Sequence, residues 1–86
     1  MQQREAQGAR HSVVVVEDDG PTRARLARAV ESHPQLWLMA SAGSCEGARE
    51  VLAGAPPDVL LTDLDLPDGS GLELIRLVRA RGAGTQ

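Results

Sequence analysis

Four consecutive β-branched residues, Val13-Val14-Val15-Val16, break off abruptly at Glu17-Asp18-Asp19-Gly20-Pro21. A run that is apolar at every position, rather than at alternate ones, belongs in a strand covered on both faces, as in a parallel sheet. Pro21 suits the first turn of a helix, and Leu26 and Val30, with Ala27 and Ala29 beside them, mark its buried stripe until His33-Pro34 ends it. This spacing predicts a helix over 21–32. Leu36-Trp37-Leu38-Met39-Ala40 is a second short apolar segment, and Ser44 can cap a helix whose inward face is Ala48, Val51, Leu52 and Ala55. Gly54 and Pro56-Pro57 stop that helix. Val59 to Thr62 reads as a third strand, and Ser70 with Glu73 has the form of a capping box opening a helix through Leu72, Ile75 and Val78, which Gly82 and Gly84 close. Strand and helix thus alternate three times with short connections, the pattern of a parallel α/β sheet.

Composition narrows the class. At 86 residues the chain is one small domain, and no apolar run is long enough to span a membrane. The first residues, MQQREAQGARHS, are polar and lack the apolar centre of a secretory signal, so residues 1–11 are expected to be a disordered tail and the location cytoplasmic. Cys45 is the single cysteine, without a disulfide or metal partner, and is expected to be a buried small side chain. Net charge is −3, and every basic side chain is Arg, for Lys is absent. The group Arg76, Arg79 and Arg81 fits a solvated helix face better than a nucleic-acid surface.

Both acidic clusters fall where a strand stops. In an open parallel sheet, binding sites lie beyond the carboxyl ends of the strands, where strand order reverses. If the second strand lies on the far side of the first, the first and third become neighbours. Glu17 and Asp18 then face Asp63 and Asp65 across one crevice. Carboxylates brought this close repel one another unless a cation sits among them, and an all-oxygen donor set that leaves room for waters suits Mg²⁺.

At these residues the chain resembles the receiver domains of two-component response regulators. The resemblance rests on VVVVEDD and TDLDLPDGSG and runs from about residue 12 to the end. It implies a flavodoxin-like sheet of strand order 2-1-3, formed by a partial receiver domain over 12–86 that stops before the family's fourth and fifth strands. It implies a phosphoacceptor module, not an enzyme, that takes a phosphoryl group from a sensor histidine kinase onto Asp63. Glu17 and Asp18 look like the acidic pair supporting Mg²⁺, together with Asp63, and Asp65 looks like the position lending a backbone carbonyl to the metal. Pro67 and Gly71 also fall at family positions. The family adds a Ser or Thr after its fourth strand and a Lys after its fifth, and without them switching should suffer more than metal binding. Relatives with this wording often carry a DNA-binding domain afterwards, which this segment does not.

Plainer readings stand beside these. Asp19 can serve the helix terminus, Asp68 its own turn, and Trp37 and Met39 packing, while His11 and His33 read as surface or boundary residues. Two other functions compete: a truncated, non-signalling interaction module, and a fragment of a haloacid-dehalogenase-type phosphohydrolase, whose nucleophile motif also has the form Asp63-Leu64-Asp65. The latter is disfavoured because only 21 residues follow Asp65. An EF-hand fails, since Pro67 and Leu74 occupy its fifth and twelfth loop positions. The third strand, apolar yet at an edge, is expected to pair with a second copy or to exchange elements with it, or else to leave the chain partly unfolded.

Overall fold

A computed structural model describes residues 10–82 and 84–86. Of the expected tail, residues 1–9 lie outside the described residues, and His11 is not tail: it opens β1 (His11–Val16). There follow α1 (Gly20–Ser32), β2 (Leu36–Ala42), α2 (Cys45–Leu52) and β3 (Val59–Thr62). Next come the two-residue strands β4 (Asp65–Leu66) and β5 (Gly69–Ser70), then α3 (Gly71–Ala80). The main sheet is parallel with order β2-β1-β3, the flavodoxin-like order expected.

Alternate β1 side chains point to opposite faces, so the valine run feeds two cores. Val13 and Val15 pack with Val30, Leu26, Leu36, Leu38 and Val59 under α1, whereas Val14 and Val16 pack with Leu52, Leu74 and Val78 under α2 and α3. Burying each of these valines is worth about 1.5–3 kcal/mol, which makes β1 the main apolar investment of a small domain. Ser12, at its start, is clipped to the strand entering from the other side: its amide donates to Asp58 Oδ2 at 2.9 Å, and the Asp58 amide donates to Ser12 Oγ at 2.9 Å. His11 Nδ1 lies 3.9 Å from the same carboxylate, an acidic partner that sequence spacing did not reveal.

Four expected packing positions differ. Ala29 and Ala55 are exposed, the first because the α1 stripe is narrow and the second because α2 ends at Leu52. On α3, Leu74 and Val78 are the buried pair, whereas Leu72 is 46% exposed, because Gly71 begins the helix and sets its rotation against the sheet. Trp37 is 43% exposed on the outer strand β2, while Met39, two residues on, does reach the core. No capping box forms: the Ser70 hydroxyl caps Leu72, and Glu73 instead bonds Arg49 of α2 at 2.9 Å.

The segment after Asp63 is a hairpin rather than a plain loop, with Asp65 opposite Ser70 and Leu66 opposite Gly69. Asp68, at its tip, does more than shape a turn. Its carboxylate reaches 23 residues back to accept from the amides of Cys45 and Glu46 at 2.7 and 3.0 Å, capping α2 beside the cap supplied by Ser44. These bonds hold the Asp68 carboxyl below its usual range, as those from Thr22 do for Asp19. At the other end of α2, the Arg81 guanidinium binds the carbonyls of Leu52 and Gly54. Cys45 is fully buried under the hairpin, and burial, with the nearby Asp68 charge, pushes its thiol up.

Beyond β3, the Gln86 amide donates to Asp58 O and the Leu60 amide donates to Gln86 O, both at 2.8 Å, the bonding of a parallel bridge. The β3 edge is therefore engaged at Leu60. Leu61, on the α1 side of the sheet, is 43% exposed, and among the described residues no second helix lies beside α1 over β3.

Two outcomes follow for stability. A Cβ at Gly71 would overlap the Asp63 carbonyl oxygen and lie 3.0 Å from Thr62 Oγ1. Gly71→Ala is expected to destabilise by about 1–3 kcal/mol in chemical denaturation, the usual cost of overpacking. Because folding lowers the pKa of Asp19 and Asp68, the unfolded chain binds more protons, and their contribution, present at neutral pH, is lost as pH falls below about 4. Thermal melts across that window should show a shallower acid dependence in Asp68→Asn than in wild type.

Candidate acidic phosphoacceptor site

β1 and β3 run side by side in register, Val16 opposite Thr62, so both end at the same level. The Asp63 amide donates to Val16 O at 3.0 Å, and the Glu17 amide donates to Ala42 O at 3.0 Å, which extends the pairing one residue past each strand. The two acidic segments thereby leave the sheet side by side. Carboxylate oxygens of Glu17, Asp18 and Asp63 lie within 4.8 Å of one another, with Glu17 and Asp63 half-buried and Asp18 exposed.

Local bonds orient these groups. Glu17 Oε2 accepts from the Asp19 amide at 3.1 Å, and Asp63 Oδ1 accepts from the Asp65 amide at 3.3 Å. Thr62 Oγ1 donates to Asp63 O at 2.8 Å, and Gly71 sits where a Cβ would run into that carbonyl oxygen. Asp19 turns away and caps α1, accepting from the amide and hydroxyl of Thr22 at 3.0 and 2.6 Å. Its assignment to the helix terminus is the one the geometry supports. Asp65 is exposed on β4, and its carboxylate is not part of the three-carboxylate group. The contact it makes with Asp63 is through its amide.

Sequence reasoning missed Arg23. Its Nη1 donates to Glu17 O at 2.7 Å and lies 3.5 Å from Asp18 O, directly behind the acidic turn. The signal available was its place one turn into α1, which is too common a position for Arg to single it out. His11 and His33 stand away from the three-carboxylate group: His11 faces Asp58, and His33 Nδ1 accepts from the Gln35 amide. Chemically the crevice offers hard oxygen donors in excess negative charge, with two of the three carboxylates, Glu17 and Asp63, half-buried.

Comparison with known proteins points the same way. The family model described as the response regulator receiver domain matches residues 13–86. The TorCAD operon transcriptional regulatory protein TorR of Escherichia coli O157:H7 is 37% identical over 71 residues, 83% of this chain but only 30% of its own length. Among solved structures, the N-terminal domain of an uncharacterized protein from Wolinella succinogenes superposes with a TM-score of 0.71 at 34% identity, covering 85% of this chain and 57% of that one. A chain in the crystal structure of the P1 domain of CheA3 in complex with CheY6 from R. sphaeroides gives a TM-score of 0.77 at 25% identity, over 92% of this chain and 61% of that one. The haloacid-dehalogenase reading of Asp63-Leu64-Asp65 is set aside by this match, which spans both acidic segments and the hairpin. The chain belongs to the receiver-domain family of two-component response regulators.

Proposed function

We propose that this chain accepts a phosphoryl group on Asp63 from a sensor histidine kinase, with Mg²⁺ held by Glu17, Asp18, Asp63 and the backbone carbonyl of Asp65. The observation that carries this reading is the meeting of three carboxylates within 4.8 Å at the carboxyl ends of two neighbouring parallel strands. The donor set fits the metal: it is all oxygen, partly open, and costly in repulsion without a cation. When bound, Mg²⁺ neutralises charge on the attacking carboxylate and on the phosphoryl oxygens.

The chain's own residues supply the rest. Asp63, half-buried and tethered through its amide to Val16 O, presents one oxygen to phosphorus. That oxygen forms the new P–O bond while the bond from phosphorus to the donor breaks, and the donor leaves with the electron pair. Glu17 and Asp18 hold the metal on the β1 side, so that Asp63 need not be displaced from its strand. One transfer modifies the chain itself, without turnover. A kinase partner is supported by the CheA3–CheY6 complex, in which a P1 domain is bound to a protein of this fold.

The same reading makes 12–86 part of a receiver domain working in the cytoplasm, and among the described residues no helix is long and apolar enough to cross a membrane. Self-association through the β3 edge belongs to it as well: among the described residues that edge is engaged only at Leu60, by Gln86. Light scattering coupled to size exclusion should then show a dimer, and a monodisperse monomer would rule this contact out.

Incubation with Mg²⁺ and a small acyl phosphate is expected to give a single phosphoryl adduct that mass spectrometry maps to Asp63 and that Asp63→Asn abolishes. An adduct surviving in that variant would refute the assignment. If wild type binds Mg²⁺ yet takes up no phosphoryl group, the non-signalling module is the correct reading. Calorimetry should show Asp18→Ala losing at least as much Mg²⁺ affinity as the roughly 10–100-fold that outer-shell partners typically contribute, because it removes a direct ligand.

A further inference from the structure

We propose that Arg23 is a positioning residue for the acidic site: it holds the Glu17–Asp18 turn from its backbone side, in a slot that Gly43 leaves open, so that both carboxylates face Asp63. The proposal rests on the metal-binding reading above and names the residue that prepares the site for its cation.

Arg23 lies in the first turn of α1, where its own amide donates to Asp19 O at 2.8 Å. Its side chain returns toward the sheet, and Nη1 donates to Glu17 O at 2.7 Å, with Asp18 O at 3.5 Å. One glycine, Gly43, makes room for it. A Cβ on Gly43, just past β2, would come within 2.8 Å of Nη1 and 3.5 Å of Cζ. The guanidinium therefore lies between the loop after β1, which it bonds, and Gly43 in the loop after β2, at the level where the carboxylates emerge.

Its choice of acceptor is what makes it useful. Had Arg23 paired with the carboxylates, it would have occupied the lone pairs that a metal needs. By binding the carbonyls it leaves those oxygens free while placing a fixed positive charge behind three negative ones, which lowers the cost of holding them together. A charge-assisted bond to a peptide carbonyl is among the stronger single interactions available to a partly exposed loop. A second cation near Mg²⁺ also repels it. Positioning and repulsion thus predict opposite signs for the loss of Arg23, so a binding measurement separates them.

Mg²⁺ titration of the 86-residue chain by calorimetry provides the test, with thermal melts taken in parallel. Arg23→Ala is expected to weaken Mg²⁺ about tenfold, the size of effect one such bond supports. Arg23→Lys should recover part of that loss, since an ammonium can still donate to Glu17 O, whereas a purely packing role would give no such rescue. Gly43→Ala, which leaves every charged residue in place, should weaken binding by displacing the guanidinium, and it serves if Arg23→Ala does not fold. Affinity unchanged or increased in both Arg23→Ala and Gly43→Ala, in a chain whose binding is abolished by Asp63→Asn, overturns the role of Arg23 and leaves the metal site standing. Absence of Mg²⁺ binding in wild type overturns the metal reading and this proposal together.

Discussion

Everything in this domain is arranged around a strand with no polar side. From Val13 to Val16 each β1 side chain is at most 2% exposed, and successive residues face opposite layers, so helices are needed both above and below. A strand buried in this way must lie between two others, which places β2 and β3 on its flanks. Once β3 lies beside β1 in parallel register, the acidic residues that end each strand cannot avoid one another. The clustering of negative charge is thus a consequence of how the apolar residues pack, and the chain bears its cost at the carboxyl end of the sheet.

What offsets that cost in the described residues is hydrogen bonding to and from the main chain, with one guanidinium set behind the turn rather than on its carboxylates. The Asp19 amide supports Glu17, the Asp65 amide supports Asp63, and Arg23 takes the carbonyls of the turn rather than its carboxylates. Among the described residues the pair of Arg49 with Glu73, and the approach of His11 to Asp58, lie elsewhere. Oxygens left with free lone pairs and fixed by their own main chain are what a hard cation requires. The same atoms explain why Gly71 tolerates no side chain: the carbonyl of Asp63 occupies the space where its Cβ would lie.

The features legible in the sequence were those with short-range signatures. The unbroken valine run gave away a buried parallel strand, Ser44 its helix cap, and the acidic residues at two strand ends the location of the crevice. Less legible were groups whose partners lie far along the chain. Asp68 looked like turn chemistry because its contacts with Cys45 and Glu46 span more than twenty residues, and Asp58 gave no hint of binding Ser12. Leu72 and Leu74 could not be told apart by spacing, since both lie on plausible stripes and only the rotation of α3 at Gly71 decides between them. Trp37 shows the limit of composition: the strand order 2-1-3 already put its strand outermost, yet membership of an apolar segment was read as packing, and the side chain is 43% exposed.

Asp68 and Cys45 meet at the start of α2, one supplying the cap and the other filling the space beneath the hairpin. A thiolate is the reactive form of cysteine, and this sulfhydryl is both enclosed and disfavoured from ionising. Alkylating reagents must therefore wait for the hairpin to lift from the helix. Since the chain has a single cysteine, its modification rate serves as a built-in clock for that opening, reporting on the motion of the segment that follows Asp63 without any introduced label.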